Sequence, residues 1–328
     1  MSEDNKAFLS IKDLVVEYTQ NKQIIHAVNG VSLELERGRT LGLVGETGAG
    51  KTTIAKSILR ILLEPPAKIV SGEIELDGRD LLKLSEKEMS KIRGEKVSMI
   101  FQDPMTALNP TMRVGEQIAD AIWLHKDVSK HEAREMACQM LERVGIPRFR
   151  AKEYPHQFSG GMKQRVVIAI ALACNPELLL ADEPTTALDV TIQAQVLALI
   201  NDLKKEHDTA MILITHDLSV VAETCDEVAV IYAGEIVEQG TLDEVFDNAS
   251  HPYTKGLFGS MPKVDKKEER LQPIAGMMPD PSELLSGCKF QSRCPFATDK
   301  CIESPIGLSH ISGTHWCRCI MTQKEKEA

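Results

Sequence analysis

A glycine-rich segment between an apolar strand and a helix carries the clearest chemistry in this sequence. After the apolar residues Leu41–Val44, the chain reads Gly45, Glu46, Thr47, Gly48, Ala49, Gly50, Lys51, Thr52 and Thr53. Glycine lets a backbone wrap tightly, so that several N–H groups converge on one anion. Lys51 is placed to reach terminal phosphates, and the Thr52 hydroxyl is placed to ligate Mg²⁺. The following helix adds its positive end. The segment predicts a triphosphate site.

Two adjacent carboxylates follow a second apolar strand. Leu178–Ala181 precedes Asp182 and Glu183. A buried strand that ends here would bring Asp182 to the magnesium shell and let Glu183 polarise an attacking water. Alone, such a pair is more often a solvated strand end. Its place in the chain, where a parallel sheet would bring it beside the glycine loop, favours the catalytic interpretation.

A Ser-Gly-Gly turn predicts a second anion site. Phe158 is followed by Ser159, Gly160, Gly161 and Met162, and then by a long apolar helix. Exposed amides and a hydroxyl at a helix start bind anions. One triphosphate does not need two such sites, so the turn suits the nucleotide of a neighbouring subunit. Polar residues at other strand or loop ends, namely Gln102, His216 and the Asp189 of Ala187-Leu188-Asp189, are further candidates.

The elements that must position these residues form an α/β pattern. Strands are predicted at Leu9–Tyr18, Ile24–Leu35, Gly72–Asp77, Val97–Phe101, Leu178–Ala181 and Ala210–Thr215, and a hairpin at Val228–Glu238. The strand Gly72–Asp77 is expected to end in an Asp77-Gly78 turn. Helices are predicted from Thr52 to about Leu63, where Pro65 and Pro66 follow, and from Val190 to about Glu206. Between residues 106 and 165 strand signals disappear, which predicts a helical insert. Beyond residue 245, prolines, charges and cysteines predict a small loop-rich domain.

Composition restricts the partners. The 328 residues are 43% hydrophobic and carry a net charge of -10, which argues against nucleic acid as the main partner. The longest apolar run, Val166 to Cys174, is too short to cross a bilayer. The polar amino terminus lacks a signal-peptide pattern. We therefore expect a cytoplasmic protein that reaches a membrane through partners.

Five cysteines crowd the carboxyl-terminal region: Cys288, Cys294, Cys301, Cys317 and Cys319. In a reducing compartment such a cluster indicates metal rather than disulfides. Structural zinc usually uses Cys-x-x-Cys pairs, which this region lacks. The wide spacing and the Cys294-Pro295 step favour an iron–sulfur cluster over zinc, with free thiols as a third alternative.

Together, these motifs resemble the ATP-binding-cassette (ABC) ATPases over residues 1–245. The resemblance implies a RecA-like P-loop core with an antiparallel β subdomain and a helical subdomain at about 106–165. It also implies that Tyr18 stacks on adenine and that residues 45–53 hold the phosphates of ATP. Magnesium would be held by Thr52, Gln102 and Asp182, and the catalytic residues would be Glu183 as general base, His216 and Gln102. Residues Ser159–Met162 with Asp189 would complete the opposing subunit's site.

One residue departs from the usual ABC ATPase pattern and indicates a subfamily. Met162 stands where the family usually has Gln, and this feature resembles the D-type ATPase subunit of dipeptide and oligopeptide importers. The stretches Gln102–Pro110 and His251–Thr254 resemble the same subfamily. The resemblance implies a paralogous F-type ATPase partner, two membrane permeases, an external peptide-binding protein, and a peripheral location on the cytoplasmic face of the plasma membrane. The alternatives are import of nickel or another small solute and, third, a soluble ABC ATPase outside transport.

The region 246–328 resembles the carboxyl-terminal domain of those subunits, for which a [4Fe–4S] cluster is implied. By that resemblance Cys288, Cys294, Cys301 and Cys319 are the ligands, with Cys317 as the alternative fourth ligand.

Overall fold

The computed structural model describes residues 7–185, 189–260 and 273–324. Its strands, in chain order, are β1 (Leu9–Gln20), β2 (Gln23–Leu35), β3 (Thr40–Val44), β4 (Ala67–Leu76), β5 (Arg79–Asp80), β6 (Val97–Ile100), β7 (Leu178–Asp182), β8 (Ala210–Thr215), β9 (Glu227–Tyr232), β10 (Glu235–Thr241), β11 (Ser309–Ser312) and β12 (His315–Cys317). Its α-helices are α1 (Lys51–Leu59), α2 (Glu86–Ile92), α3 (Pro104–Ala107), α4 (Val114–His125), α5 (Lys130–Arg143), α6 (Gly160–Leu172), α7 (Val190–His207), α8 (Leu218–Thr224), α9 (Leu242–Asp247), α10 (Pro252–Gly259), α11 (Lys300–Glu303) and α12 (Ile320–Lys324).

The described residues form two compact units that do not follow chain order. The first unit contains residues 35–40 and 83–215, and the second unit contains residues 8–34, 41–82 and 216–324. A single cut in the chain therefore does not separate the two units.

The first unit is built on three parallel strands, in the order β8, β7, β6. Every residue of these strands is buried, which explains why their sequences are apolar without alternation. Residues 101–177 contain helices and loops and no strand. Within this stretch α4 packs against α5 and α6. Helix α5 begins with a capping box, in which Ser129 accepts from the Glu132 amide and Glu132 accepts from the Ser129 amide.

The second unit contains two sheets. One is the four-stranded sheet β2-β1-β4-β5, in which β1, β4 and β5 pair antiparallel. The turn that joins β4 to β5 is the predicted Asp77-Gly78 turn, and both residues have positive φ, at 50° and 75°. In the other sheet, β3 pairs parallel with β9, and β9, β10, β12 and β11 follow as antiparallel neighbours. Sequence reasoning missed β11 and β12, which are only four and three residues long.

The prediction that the first helix runs to about Leu63 is wrong. Helix α1 ends at Leu59, because Arg60 adopts the left-handed conformation with φ 51° and its N–H bonds back to Lys56 and Ser57. The two prolines at 65 and 66 lie beyond this stop. In the described part of the chain, no helix is both long and apolar enough to cross a membrane.

Candidate functional site

The glycine loop follows β3 in the second unit and wraps around the amino group of Lys51. Its Nζ donates to the carbonyl oxygens of Gly45 at 2.7 Å and Glu46 at 2.9 Å. A Cβ at Gly45 would lie 2.2 Å from Ile231 O, and one at Gly50, where φ is +105°, would lie 2.4 Å from Ala27 O. Only glycine fits both positions. The remaining loop residues include Ala49, which is buried, and Thr47 and Gly48, which are exposed.

Tyr18 lies near the start of the helix that follows the loop. Its hydroxyl is 3.3 Å from Thr53 Oγ1, and this contact joins β1 to the third residue of the Lys51-Thr52-Thr53 run. Thr52 and Lys51 open helix α1, whose N-terminal amides follow the loop directly. The positive end of the helix and the Lys51 ammonium thus lie at the same loop, an arrangement that is able to bind an anion.

Two residues beyond the ATPase motifs hold Glu46 in this loop. The Glu46 amide donates to the Tyr253 hydroxyl at 3.1 Å. Arg293 Nη1 lies 3.0 Å from both carboxylate oxygens of Glu46. Sequence reasoning assigned no role to either residue. The stretch His251–Thr254 had marked a family resemblance, and Arg293 lies beside Cys294, so proximity to these motifs was the available signal.

The carboxylate pair lies at the end of β7 in the first unit. Asp182 is the last strand residue and is buried. Glu183 adopts φ 46°, and its N–H donates to Ile214 O at 2.8 Å. Gln102 Nε2 donates to Glu183 Oε2 at 2.8 Å. A non-glycine residue with positive φ is strained, and strain of this kind clusters at functional sites. The Gln102 amide fixes the carboxylate of Glu183.

The Ser-Gly-Gly turn caps α6 in the same unit. Ser159 Oγ accepts from the Met162 amide at 3.4 Å, and both Ser159 and Gly160 are exposed. The Arg150 guanidinium packs over Phe158, which precedes the turn, at 4.5 Å from the centre of the ring. Asp189 caps α7 by accepting from the Ile192 amide at 3.0 Å. Ala187 and Leu188, which precede Asp189, lie outside the described residues.

The predicted site residues thus divide between the units. The first unit holds Gln102, Ser159, Gly160, Gly161, Met162, Asp182, Glu183 and Asp189. The second unit holds Tyr18, residues 45–53, the exposed His216 and the carboxyl-terminal cysteines.

Four of the five carboxyl-terminal cysteines border one small cavity in the second unit. They are Cys288, Cys294, Cys301 and Cys319, and the cavity of about 20 Å³ is also lined by His251, Phe290 and Gln291. The buried Gln291 Oε1 accepts no hydrogen bond. Cys317 is not among the lining residues. The pKa of Cys288 is raised to about 11, mainly by burial; the Phe290 backbone N–H lowers it, and the neighbouring Cys301, Cys294 and Cys319 contribute to the rise.

The donor chemistry of this cavity fits a thiolate-bound metal group, because four sulfurs and an unsatisfied amide oxygen surround it. Its geometry does not fit a single ion as it stands. Within residues 7–185, 189–260 and 273–324, no three His, Cys, Asp or Glu side chains converge closely enough to hold one. A cavity of this volume admits about one water, so a larger group requires the cysteine side chains to rotate outward.

Two family models match the chain in succession. The model described as ABC transporter matches residues 28–186, and the model described as oligopeptide/dipeptide transporter, C-terminal region, matches residues 237–301. The first match includes the glycine loop, the Ser-Gly-Gly turn and the carboxylate pair. The second begins in β10 and ends at Cys301.

Curated relatives match over most of their length. The chain is 48% identical over 320 residues to the oligopeptide transport ATP-binding protein AppD of Bacillus subtilis, covering 97% of each. It is 49% identical over 301 residues to the oligopeptide transport ATP-binding protein OppD of Escherichia coli, covering 91% of this chain and 89% of that protein. Among solved structures, the ATP-binding cassette MJ0796, a dimer in a post-hydrolysis state bound to ADP and Pi, has a TM-score of 0.65 and 29% identity, covering 71% of this chain and 98% of that one.

Proposed function

The chain belongs to the ABC transporter ATPases that carry the oligopeptide and dipeptide transporter C-terminal region, and on this premise we propose that it hydrolyses ATP to power the import of peptides. One observation carries the proposal. Relatives named for oligopeptide transport match both the ATPase part and the carboxyl-terminal region in a single alignment over 97% of the chain. Nickel or another small solute is the alternative cargo.

ATP binds in a composite pocket made by two subunits. The glycine loop, Lys51 and Tyr18 of one subunit hold the nucleotide, and Ser159–Met162 with Asp189 of the other subunit close over it. The exposed Ser159 and Gly160 at the start of the thirteen-residue helix α6 support this division, because their amides are open to a partner's phosphate. The solved cassette MJ0796 is itself a dimer.

Glu183 acts as the general base that orients and deprotonates the attacking water. The hydrogen bond from Gln102 and the strained backbone of Glu183 support this role, since both fix the carboxylate at a strand end. Gln102 and Asp182 would supply oxygen ligands to Mg²⁺, which would neutralise charge on the phosphates. His216 contacts the γ-phosphate and holds the attacking geometry. Closing of the two ATPase subunits on ATP, and their opening after hydrolysis, drives the permeases.

The partners follow from the importer architecture. We place this chain beside a paralogous F-type ATPase subunit, beneath two membrane-spanning permeases, with a binding protein delivering peptide from outside. The chain then lies peripherally on the cytoplasmic face of the plasma membrane. The proposed boundary near residue 245 separates the ATPase from the carboxyl-terminal domain, and the start of the second family model at residue 237 supports it.

The carboxyl-terminal domain holds a [4Fe–4S] cluster on Cys288, Cys294, Cys301 and Cys319, rather than on Cys317. The common cavity of those four cysteines and its lack of Cys317 support the ligand set. A zinc ion would need four sulfurs within about 2.3 Å of one point. A four-iron cluster is larger and its ligands stand further apart, so the four cysteines, which border the cavity without converging, would hold it after rotating outward.

Anaerobic purification tests the cluster. We expect iron, acid-labile sulfide and a broad visible absorption band, all lost in Cys319→Ser and retained in Cys317→Ser. Stoichiometric zinc without iron would assign the site to zinc instead.

Reconstitution tests the transport function. Co-expression with the two permeases and the F-type ATPase subunit of its importer, followed by insertion into liposomes and addition of the peptide-binding protein, should give peptide-stimulated ATP hydrolysis and peptide uptake. The Lys51→Ala variant should bind no ATP and support no uptake. Stimulation by nickel but not by any peptide would replace the proposed cargo while leaving the ATPase assignment intact.

A further inference from the structure

We propose that Arg293 is a positioning residue for the phosphate loop, so that the carboxyl-terminal region of this chain sets its affinity for ATP. The proposal rests on the ATP-binding role of the loop proposed above. It adds a residue outside the ATPase motifs to the nucleotide site. All of its contacts lie within the second unit.

The Arg293 guanidinium is held on every side. Its side chain is 5% exposed, Nε donates to Ala275 O at 2.9 Å, and Nη2 donates to Ile274 O at 3.3 Å. It also lies near the rings of Tyr232 and Phe290, with 5.7 and 5.8 Å to the ring centres. These contacts fix its position but supply no negative charge.

The carboxylate of Glu46 supplies that charge. Both of its oxygens lie 3.0 Å from Arg293 Nη1, and the Glu46 side chain is 30% exposed. Burying a guanidinium is costly unless a charged partner and hydrogen bonds compensate. The pair therefore constrains both members, and Glu46 is the member that belongs to the loop.

The position of Glu46 controls the geometry around Lys51. The Glu46 amide is fixed by Tyr253, its side chain by Arg293, and its carbonyl receives Lys51 Nζ at 2.9 Å. Because the amide, the carbonyl and the side chain of Glu46 are all hydrogen-bonded, the peptide groups on either side of Glu46 cannot rotate freely. Release of the side chain would let the peptide beside Gly45 reorient and would misplace the ammonium that binds phosphate.

Residues 278–281, which precede Arg293 in the chain, also lie close to the glycine loop. Met278 Cε lies 3.5 Å from the place of a Cβ on Gly48, and His26 N–H donates to Pro281 O at 2.8 Å. Gly48, Met278 and Pro281 also line one small cavity. The carboxyl-terminal region thus contacts the loop at Glu46 and borders the same small cavity as Gly48.

Nucleotide titration of the purified full-length chain tests the proposal. We expect Arg293→Gln and Glu46→Gln each to weaken binding of a fluorescent ATP analogue about tenfold, or ~1.4 kcal/mol. The double variant should be no weaker than either single one, because the two changes remove one interaction. The exchange Arg293→Glu with Glu46→Arg should recover part of the affinity. In steady-state hydrolysis the change should fall on KM rather than on kcat.

Arg318→Gln is the matched control. Arg318 also adjoins a cysteine of the cavity and donates to Ile236 O and Ile306 O, each at 2.9 Å. We expect it to lower the melting temperature without changing nucleotide affinity. Affinity of both single variants within about twofold of the parent, or additive losses in the double variant, would overturn the proposal. If the Arg293 variants do not fold, the nucleotide affinity of Glu46→Gln alone decides the test, and an affinity within about twofold of the parent overturns the proposal. Unchanged binding in Lys51→Ala would instead refute the nucleotide site itself.

Discussion

The buried carboxylate of Glu238 on β10 should hold the carboxyl-terminal hairpin, formed by β11 and β12, in place within the second unit. Glu238 is 0% exposed and accepts from the Ser250 amide at 2.6 Å and the His251 amide at 3.0 Å, and lies 2.7 Å from His315 Nε2. Glu238→Ala leaves these groups without their acceptor. Unsatisfied buried donors cost about 1–3 kcal/mol each. We expect the loss of the shared acceptor to lower the free energy of unfolding by about 4 kcal/mol.

Trp316 provides the assay for this loss. It lies in β12 beside His315 and is one of two tryptophans, so a Trp123→Phe background makes its fluorescence specific to the second unit. At about 2–4 °C per kcal/mol, the melting temperature should fall by about 8–16 °C. The exposed Glu303→Gln, in the same region, should change stability by less than about 0.5 kcal/mol. A loss below about 1 kcal/mol in Glu238→Ala would refute the assignment of these hydrogen bonds as the main attachment.

Two further predictions concern turnover and pH. Glu183→Gln should retain ATP binding but lower hydrolysis by at least about 100-fold, measured by phosphate release against a nucleotide titration; turnover at the parent rate would exclude Glu183 as the base. Burial lowers the pKa of His251 to about 3, with Arg318 contributing. The folded chain therefore binds fewer protons than the unfolded chain between about pH 6.5 and 3, and stability falls by about 1.4 kcal/mol for each pH unit below 6.5. Urea unfolding should show this loss in the parent and a flatter profile in His251→Asn, which keeps an acceptor for the Tyr253 amide; equal slopes would contradict it.

Sequence reasoning succeeded where local chemistry dictates structure. The apolar run Leu178–Ala181 and the run Ala210–Thr215 are buried strands, because continuous apolar residues of that length suit a sheet covered on both faces. The Asp77-Gly78 turn has the positive φ values that its residue types favour.

It failed where distant contacts decide. The short strands β11 and β12 exist because β10 offers them an edge, and a three-residue strand leaves no periodic signal. Arg293 lies 247 residues from Glu46 in the chain, so no spacing rule links them. The end of α1 at Leu59 depends on the left-handed backbone of Arg60, which is not a residue type that normally predicts such a stop.

The pairing of β12 with β10 has a consequence for anyone who trims this protein to a minimal ATPase. In the second unit β12 and then β11 occupy the border of the sheet, so removal of residues after 245 would uncover the hydrogen-bonding groups of β10. A bare strand of this kind recruits strands from other molecules. The shortened protein should therefore self-associate, visible as rising light scattering at concentrations where the intact chain stays dispersed.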